Sequence, residues 1–169
     1  YEYKSEKPSL AFLQSLDLAG KTLIDVGANR GIYTWIMSRC AGPEGRVFAF
    51  EPQPELNEHL ERLKASFGLD NVVVTGQGLS SEPGVLELQR SRVGAGQAGV
   101  NLPAGTFDEV LEVPVTTLDS FLEEAAVESV GLIKADVEGH ELEVFKGALR
   151  TLAVSRPILL VEVMEAEAE

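Results

Sequence analysis

The feature that most constrains this sequence is the alternation of short β-rich runs with amphipathic helical runs. Apolar runs of strand length lie at 22–27, 46–50 and 71–75, and Leu56 and Leu60 between them stand at helical spacing. Strands that alternate with helices in this way are typical of a parallel sheet covered by helices. We therefore predict an α/β fold with a mostly parallel sheet.

The alternation is interrupted once, after the third strand. A Gly-rich stretch separates β-rich runs at 85–89 and 111–115, and Pro114 is typical of an edge strand. We predict an antiparallel strand pair inserted between strands three and four, with a flexible loop at about 90–110 between its strands. A linker between two domains is the alternative, but neither flank is long enough to hold its own core. We therefore predict a single domain over residues 1–169.

The regular alternation resumes after this insertion. The sequence TTLDSFLEEA predicts a helix capped by Thr116 and Asp119, and strands four and five are predicted at 130–135 and 157–163. The helix between these strands is predicted to bury one face, formed by Leu142, Phe145, Leu149 and Leu152. Strand five is almost entirely Leu or β-branched, as expected of a strand buried on both faces.

Composition and charge exclude some classes of partner. The chain has 27 acidic and 14 basic residues, a formal net charge of −13, and such a surface repels phosphate backbones. No apolar run approaches the roughly 18 residues needed to cross a bilayer, and residues 1–9 lack the apolar core of a signal peptide. We expect a cytoplasmic protein with no nucleic-acid or membrane partner. The single cysteine, Cys40, is expected to be a packed thiol.

A glycine-containing loop and an acidic residue predict a nucleoside site. Gly27 and Gly31 let the backbone turn sharply after strand one and approach a ligand without a Cβ, and Asn29 between them tolerates left-handed geometry. The N–H groups of the following helix favour an anion. Glu51 ends strand two about twenty residues downstream, where a carboxylate can accept both hydroxyls of a ribose.

The identity of the nucleoside follows from what the loop lacks. A dinucleotide site requires Gly-x-Gly-x-x-Gly, whereas this loop reads Gly27-x-Asn29-x-Gly31, and Thr34 stands three residues after Gly31, where the last glycine should be. S-adenosylmethionine fits better, because it has a ribose, an adenine and an amino-acid end but no phosphate. An NAD-dependent oxidoreductase is one alternative, and a catalytically inactive nucleoside-binding module is the other.

Several motifs occur together and in order. The stretches LIDVGANRGIYT, FEPQPE, VPVTTLDSFL, LIKADVEGHELEVFKGALRTL and PILLVEV lie between about residues 20 and 163. With them the chain resembles the FkbM-type S-adenosylmethionine-dependent methyltransferases. The resemblance implies a three-layer Rossmann-like class I methyltransferase fold and O-methylation of a small molecule or glycan hydroxyl. The chain ends soon after strand five, so we expect a short C-terminus or a partner at that edge, such as a second copy in a homodimer.

The resemblance also implies the residues that bind the cofactor. The loop at 25–31 would hold its methionine end, Glu51 its ribose, and Pro52 and the turn at 78–80 its adenine. The full set carried over to this sequence is Asp25, Gly27, Ala28, Asn29, Gly31, Tyr33, Thr34, Glu51, Pro52, Gly78, Leu79, Ser80 and Asp136.

Three polar residues after strand four are the candidate catalytic groups. Asp136 is expected to orient the cofactor amine or the acceptor, and Glu138 and His140 are candidate bases, His140 because its ordinary pKa lies near neutrality. Both candidate bases lie at a helix start, where the dipole favours carboxylates and a histidine can simply cap, so a structural role stays open. Asp136, Glu138 and Glu162 have the chemistry to bind a divalent metal, but no further ligand cluster accompanies them, and no metal is predicted.

Overall fold

The computed structural model describes residues 7–90, 98–100 and 107–162 of the 169-residue chain. The helices in these ranges are α1 (Lys7–Ser15), α2 (Ile32–Ala41), α3 (Pro54–Phe67), α4 (Leu118–Glu124), α5 (Glu141–Lys146) and α6 (Leu149–Ser155). The strands are β1 (Thr22–Val26), β2 (Arg46–Phe50), β3 (Val72–Thr75), β4 (Gly78–Leu79), β5 (Gly84–Arg90), β6 (Ala98–Gly99), β7 (Glu109–Thr116), β8 (Leu132–Ala135) and β9 (Ile158–Val161). None of the helices described has the length and apolarity needed to span a membrane.

Five parallel strands form the sheet that we call sheet A, in the order β3-β2-β1-β8-β9. Ile24 in β1 lies opposite Phe48 in β2 on one side and Ile133 in β8 on the other. The chain first builds outward from β1 to β3 and then crosses to β8, so the strand order reverses between β1 and β8. Ligands of open parallel sheets bind at the carboxyl edge beside such a reversal. The predicted parallel sheet is confirmed.

Helices cover sheet A on both faces. Leu23 packs in a core cluster with Leu13 and Met37 of α1 and α2, whereas its neighbour Ile24 packs in a second cluster with Leu118 of α4. Successive residues of a strand point to opposite faces, so the two clusters are the two interfaces of a three-layer domain. Cys40 is partly buried against the first cluster, as predicted.

The predicted insertion forms a second sheet, sheet B, in the order β4-β7-β5-β6. Its long strands β5 and β7 are antiparallel, with Leu86 opposite Val113, which confirms the predicted pair. The prediction that Pro114 lies on an edge strand was wrong, because β7 lies between β4 and β5. Proline is tolerated here because β4 pairs with β7 only at Val115 and Thr116, beyond the residue that lacks an N–H.

The two strands that flank the predicted flexible loop at 90–110 extend further into it than predicted. Strand β5 continues to Arg90 and β7 begins at Glu109, and these two residues are paired. Ala98 pairs with Arg90 from the other side, as part of β6. The remainder of the predicted loop, residues 91–97 and 101–106, lies outside the described residues.

The cap of α4 is displaced by one residue from its prediction. Thr116 still belongs to β7, and the side-chain oxygen of Thr117 accepts the backbone N–H of Ser120 at 3.0 Å. Asp119 does not complete a capping box, because its carboxylate accepts the backbone N–H groups of Arg150 and Thr151 at 2.8 and 2.9 Å. This carboxylate therefore joins α4 to α6.

The single helix predicted after strand four is two helices, α5 and α6, which Gly147 separates. A Cβ at Gly147 would collide with the carbonyl oxygen of Ser80, so the backbone packs too closely there for any other residue. The predicted buried face was wrong in part, because Leu142 and Leu149 are each 65% exposed.

Strand five was predicted to be buried on both faces, and its described part is not. Ile158 and Leu159 of β9 are exposed. In the part of the chain that the structure describes, β9 pairs with β8 and is the edge of sheet A. The β-branched and Leu-rich sequence of a strand therefore does not tell an inner strand from an edge strand here.

Candidate functional site

A cavity of about 330 Å³ lies at the carboxyl edge of sheet A, beside the reversal between β1 and β8. This volume falls within the range of pockets that bind small ligands and cofactors. Sheet A contributes the ends of its strands and sheet B contributes one face. The polar and glycine residues of the lining are Gly27, Asn29, Glu51, Gln53, Gly78, Asp136, Glu138, His140 and Glu162.

The loop after β1 is fixed in place by close backbone contacts. Gly27 has a φ of +73°, and a Cβ at this position would collide with the carbonyl oxygen of Asp136. The N–H groups of Gly27 and Ala28 both donate to the carbonyl oxygen of Phe50 at 3.0 Å. Asn29 follows with a φ of +49°. Only glycine fits at position 27, because the ends of β1 and β8 approach each other there.

Glu51 is the most deeply buried acidic residue of the lining, at 3% exposure. One carboxylate oxygen accepts the N–H of Asn29 at 2.9 Å, and the other accepts the N–H of Gln53 at 3.0 Å. Burial raises the pKa of Glu51, and the donors from Gln53 and Asn29 act in the opposite direction. The carboxylate thus connects the β1 loop to the start of α3 while facing the cavity.

Lys134 in β8 is a functional residue that the sequence reasoning missed. Its ammonium donates to the carbonyl oxygen of Gly27 at 2.9 Å and lies 3.4 Å from Asp25 Oδ1 and 3.6 Å from Asp136 Oδ2. Thr34 donates its hydroxyl to Asp25 Oδ2 at 2.6 Å. Lys134 therefore ties the β1 loop to the two aspartates from beneath. The signal was present in the sequence, since a lysine inside an otherwise apolar strand must find charged partners.

Three further carboxylates line the cavity: Asp136, Glu138 and Glu162. Burial raises the pKa of Glu138, and the charges of Asp136, Glu162 and Glu141 raise it further. The neighbouring Asp136 carboxylate is the main cause that raises the pKa of Glu162, followed by burial. Glu138 also has a left-handed backbone, with a φ of +51°, a conformation that carries strain in a residue other than glycine.

His140 lies beside these carboxylates and contacts the turn that contains β4. Its Nε2 is 3.0 Å from the hydroxyl oxygen of Ser80, which is buried. Burial lowers the pKa of His140, while Glu143 and Glu141 raise it. The net effect favours the neutral imidazole near neutral pH. One ring nitrogen is thus already engaged by Ser80.

The predicted cofactor residues separate into a lining set and a supporting set. The residues that line the cavity are Gly27, Asn29, Glu51, Pro52, Gly78, Leu79 and Asp136. The remaining six do not line the cavity: Asp25, Ala28, Gly31, Tyr33, Thr34 and Ser80. At Gly31, for example, a Cβ would lie 2.7 Å from Leu60, so this glycine serves the packing of the loop on α3. The assignment of all these residues to cofactor binding stays a prediction.

Sheet B adds an apolar surface to the cavity that the sequence reasoning did not assign to the site. Its members are Leu86, Leu88, Val113 and Val115. The signal was the placement of apolar residues two apart, Leu86 and Leu88 in β5 and Val113 and Val115 in β7, which predicts one buried face but not what that face covers. Across residues 7–90, 98–100 and 107–162, no group of three or more His, Cys, Asp or Glu side chains is arranged to hold a metal ion.

Comparison with known proteins identifies the family. The model of the methyltransferase FkbM domain matches residues 25–169. The chain belongs to the FkbM methyltransferase family. This FkbM member is 33% identical over 134 residues to the hexuronic acid methyltransferase AglP of Haloferax volcanii, covering 77% of this chain and 51% of that protein. It is 27% identical over 159 residues to the 2-O-methyltransferase NoeI of Sinorhizobium fredii, covering 83% and 63%.

Solved structures show the same fold. An FkbM methyltransferase from Methylobacillus flagellatus superposes with a TM-score of 0.63 at 19% identity, covering 87% of this chain and 34% of that one. A putative rRNA methylase from Clostridium thermocellum gives 0.61 at 12% identity, covering 96% and 71%. The FkbM member therefore has the predicted class I methyltransferase fold. It spans about half of AglP and 63% of NoeI, so it matches only part of these relatives.

Proposed function

We propose that this FkbM-family chain is an S-adenosylmethionine-dependent methyltransferase that acts on a hydroxyl group of a small molecule or glycan. The observation that carries the proposal is the buried carboxylate of Glu51, which Asn29 and Gln53 hold in the lining of a cavity that three further carboxylates also line. Membership of the FkbM family supports methyl transfer. The printed names of AglP and NoeI, a hexuronic acid methyltransferase and a 2-O-methyltransferase, support a sugar-like acceptor.

The residues of the cavity fit this cofactor. Each oxygen of Glu51 accepts one backbone N–H and keeps a lone pair for a ribose hydroxyl. Pro52 and Leu79 add apolar surface next to Glu51, which suits an adenine ring. The carboxylate of Asp136 suits the cationic end of the cofactor. When bound, S-adenosylmethionine supplies a methyl group on a positively charged sulfur.

O-methylation also requires a group that takes the proton of the acceptor hydroxyl. We assign this role to Glu138, because it lines the cavity and its raised pKa makes it a stronger base than an ordinary carboxylate. His140 is the other candidate, but its Nε2 contacts the Ser80 hydroxyl. We therefore assign His140 a positioning role, in which it fixes the segment that carries Glu138. Asp136 is assigned to orienting the cofactor amine.

Calorimetric titration tests the proposal against its alternatives. S-adenosylhomocysteine is expected to bind the protein, and NAD is not. Glu51→Gln should weaken S-adenosylhomocysteine binding at least about tenfold, since it places an amide where a carboxylate accepts hydrogen bonds. Glu58→Gln, on the exposed face of α3, is the matched control and should leave binding unchanged. Binding of NAD would favour the oxidoreductase, and binding of neither compound would contradict the assignment of the cavity to a nucleoside.

A further inference from the structure

The apolar face of sheet B is the part of the cavity to which the cofactor assignment gives no role. Leu86, Leu88, Val113 and Val115 all line the cavity. The residues between them in β5 and β7 point away from it, and Val85 is 64% exposed. The alternation thus separates one apolar wall, which we call the sheet B wall, from an outer face in contact with solvent.

A second part of the lining, which we call the acidic wall, is negatively charged. Its members are Asp136, Glu138 and Glu162. Among the lining residues that the structure describes there is no Lys or Arg. Lys134 lies nearby and is 5% exposed. Its ammonium contacts the Gly27 carbonyl, Asp25 and Asp136. It therefore faces the interior of the loop and not the acceptor space.

This arrangement discriminates between acceptors by charge. S-adenosylmethionine has a net charge of +1 from one sulfonium, one ammonium and one carboxylate, which offsets only part of three acidic side chains. A carboxylate on the acceptor would therefore enter a site of its own sign, with little water to screen the repulsion. An uncharged acceptor with an apolar face would instead pack on the sheet B wall and release water from it.

We propose that the acceptor is an uncharged hydroxyl compound with an apolar face, seated on the sheet B wall with its reacting hydroxyl toward Glu138, and that carboxylate-bearing acceptors are excluded; this rests on the methyltransferase function proposed above. The acceptor oxygen forms a bond to the methyl carbon as the carbon–sulfur bond breaks. The electron pair of that bond stays on sulfur, S-adenosylhomocysteine leaves, and the hydroxyl proton passes to Glu138. The acceptor class thus differs from the hexuronic acid for which the relative AglP is named.

Three glycosides that differ only at carbon 6 test the proposal. They are p-nitrophenyl 6-deoxyglucoside, p-nitrophenyl glucuronide and the methyl ester of that glucuronide. Binding to the protein saturated with S-adenosylhomocysteine is measured by ligand-observed NMR, and methyl transfer is measured with labelled S-adenosylmethionine. We expect the 6-deoxyglucoside to bind and react at least tenfold better than the glucuronide, and the uncharged ester to recover most of that difference.

Variants assign the discrimination to the two walls. Leu86→Gln should weaken 6-deoxyglucoside binding at least fivefold, whereas Val85→Gln, its neighbour on the outer face of β5, should not. The double variant Glu138→Gln, Glu162→Gln should bring glucuronide binding to within about threefold of 6-deoxyglucoside binding. Unchanged S-adenosylhomocysteine affinity in Leu86→Gln shows that this variant is folded.

Two kinds of failure are distinguishable. Absence of S-adenosylhomocysteine binding by the unmodified protein would contradict the proposed function itself. If S-adenosylhomocysteine binds but the glucuronide is bound or methylated as well as the 6-deoxyglucoside, or if neither glycoside binds, the proposed acceptor class is wrong. Equal effects of Leu86→Gln and Val85→Gln would equally overturn the role of the sheet B wall.

Discussion

Sheets A and B enclose one cavity but contribute to it by different means. Sheet A has helices on both faces and offers the cavity the polar groups at the ends of its strands, as with Glu51 after β2 and Asp136 after β8. Sheet B has one face in solvent and offers the cavity apolar side chains from the middle of its strands. The comparison teaches that strand ends supply the polar part of the cavity, where we propose that the cofactor binds, whereas the face of an insertion supplies the apolar part, where we propose that the acceptor binds.

The side chain of Arg90 connects sheet B to the start of α3 near the cavity. Arg90, at the end of β5, donates to Glu109 at 2.8 Å within sheet B. It also donates to the side chain of Gln53 at 3.1 Å and pairs with Glu55 at the start of α3. Because the backbone N–H of Gln53 holds Glu51, Arg90 relates the position of sheet B to that of the carboxylate on the cofactor side.

The largest effect is expected beneath the cofactor side. Lys134→Met leaves the fully buried Asp25 without its cation, and breaking a buried ion pair costs about 3–5 kcal/mol of stability. Lys146→Met removes the exposed pair with Glu143 and should cost less than about 1 kcal/mol. Chemical denaturation measures both losses. Equal losses of stability in the two variants would show that the strand ends of sheet A do not depend on Lys134.

A comparison of two glycines tests how closely the strands of sheet A meet. Gly27 and Gly20 have the same φ of +73°, but a Cβ would collide with Asp136 at the first and meet nothing within 4 Å at the second. Gly20→Ala should cost about 1–2 kcal/mol for its left-handed backbone. Gly27→Ala should cost about 1–3 kcal/mol more because of overpacking. Thermal or chemical unfolding measures the loss of stability in each variant. Similar losses at the two positions would contradict the close approach of β1 and β8.

Turnover tests the assignment of Glu138, where the two sides of the cavity meet. Glu138→Gln should lower kcat about 100-fold, within the range for loss of a general base, with little change in S-adenosylhomocysteine affinity. The carboxylate accepts a proton only when ionised, so the rate of the unmodified enzyme should rise with pH through a pKa above the ordinary value for glutamate. Gln has no such titration, so the variant should lose this limb of the pH profile. A variant that keeps the full rate or the limb would contradict the assignment.

The smallest expected effect concerns the connection between the sheets. The Arg90 side chain is only 16% exposed, and Arg90→Met removes its charged hydrogen bonds, which should lower the free energy of unfolding by about 1.5 kcal/mol. Arg62→Met, in an exposed pair on α3, is the control and should have almost no effect. Hydrogen exchange of the β5 and β7 amides should accelerate in Arg90→Met, while exchange in β1 stays unchanged. Equal acceleration in both sheets would mean that they unfold as one unit and would contradict the distinction between sheet A and sheet B.

The elements of sheet A could be predicted from the sequence because each strand there is a short apolar run that ends in a glycine or a charged residue. The loop from Gly27 to Gly31 and the position of Glu51 follow from the same local pattern. The match of the FkbM domain model to residues 25–169 confirms the family resemblance. The local signal is strong where the backbone itself makes the site.

The remainder depended on contacts between distant segments. Thr116 and Thr117 are equally good caps by composition, and only the length of β7 decides between them. Gly147, between α5 and α6, has no room for a Cβ because of Ser80, a neighbour far away in the sequence. The face of sheet B that carries Leu86 could be predicted as buried, but nothing local shows that it covers a cavity. Lys134 could have been found, since its charge required a partner.

A crystal structure with S-adenosylhomocysteine tests the central claim most directly. The ribose hydroxyls should lie within hydrogen-bond distance of the Glu51 carboxylate, and the sulfur should lie between Asp136 and the sheet B wall. Nucleoside density away from Glu51, or a cavity left without the nucleoside at saturating concentration, would contradict the account.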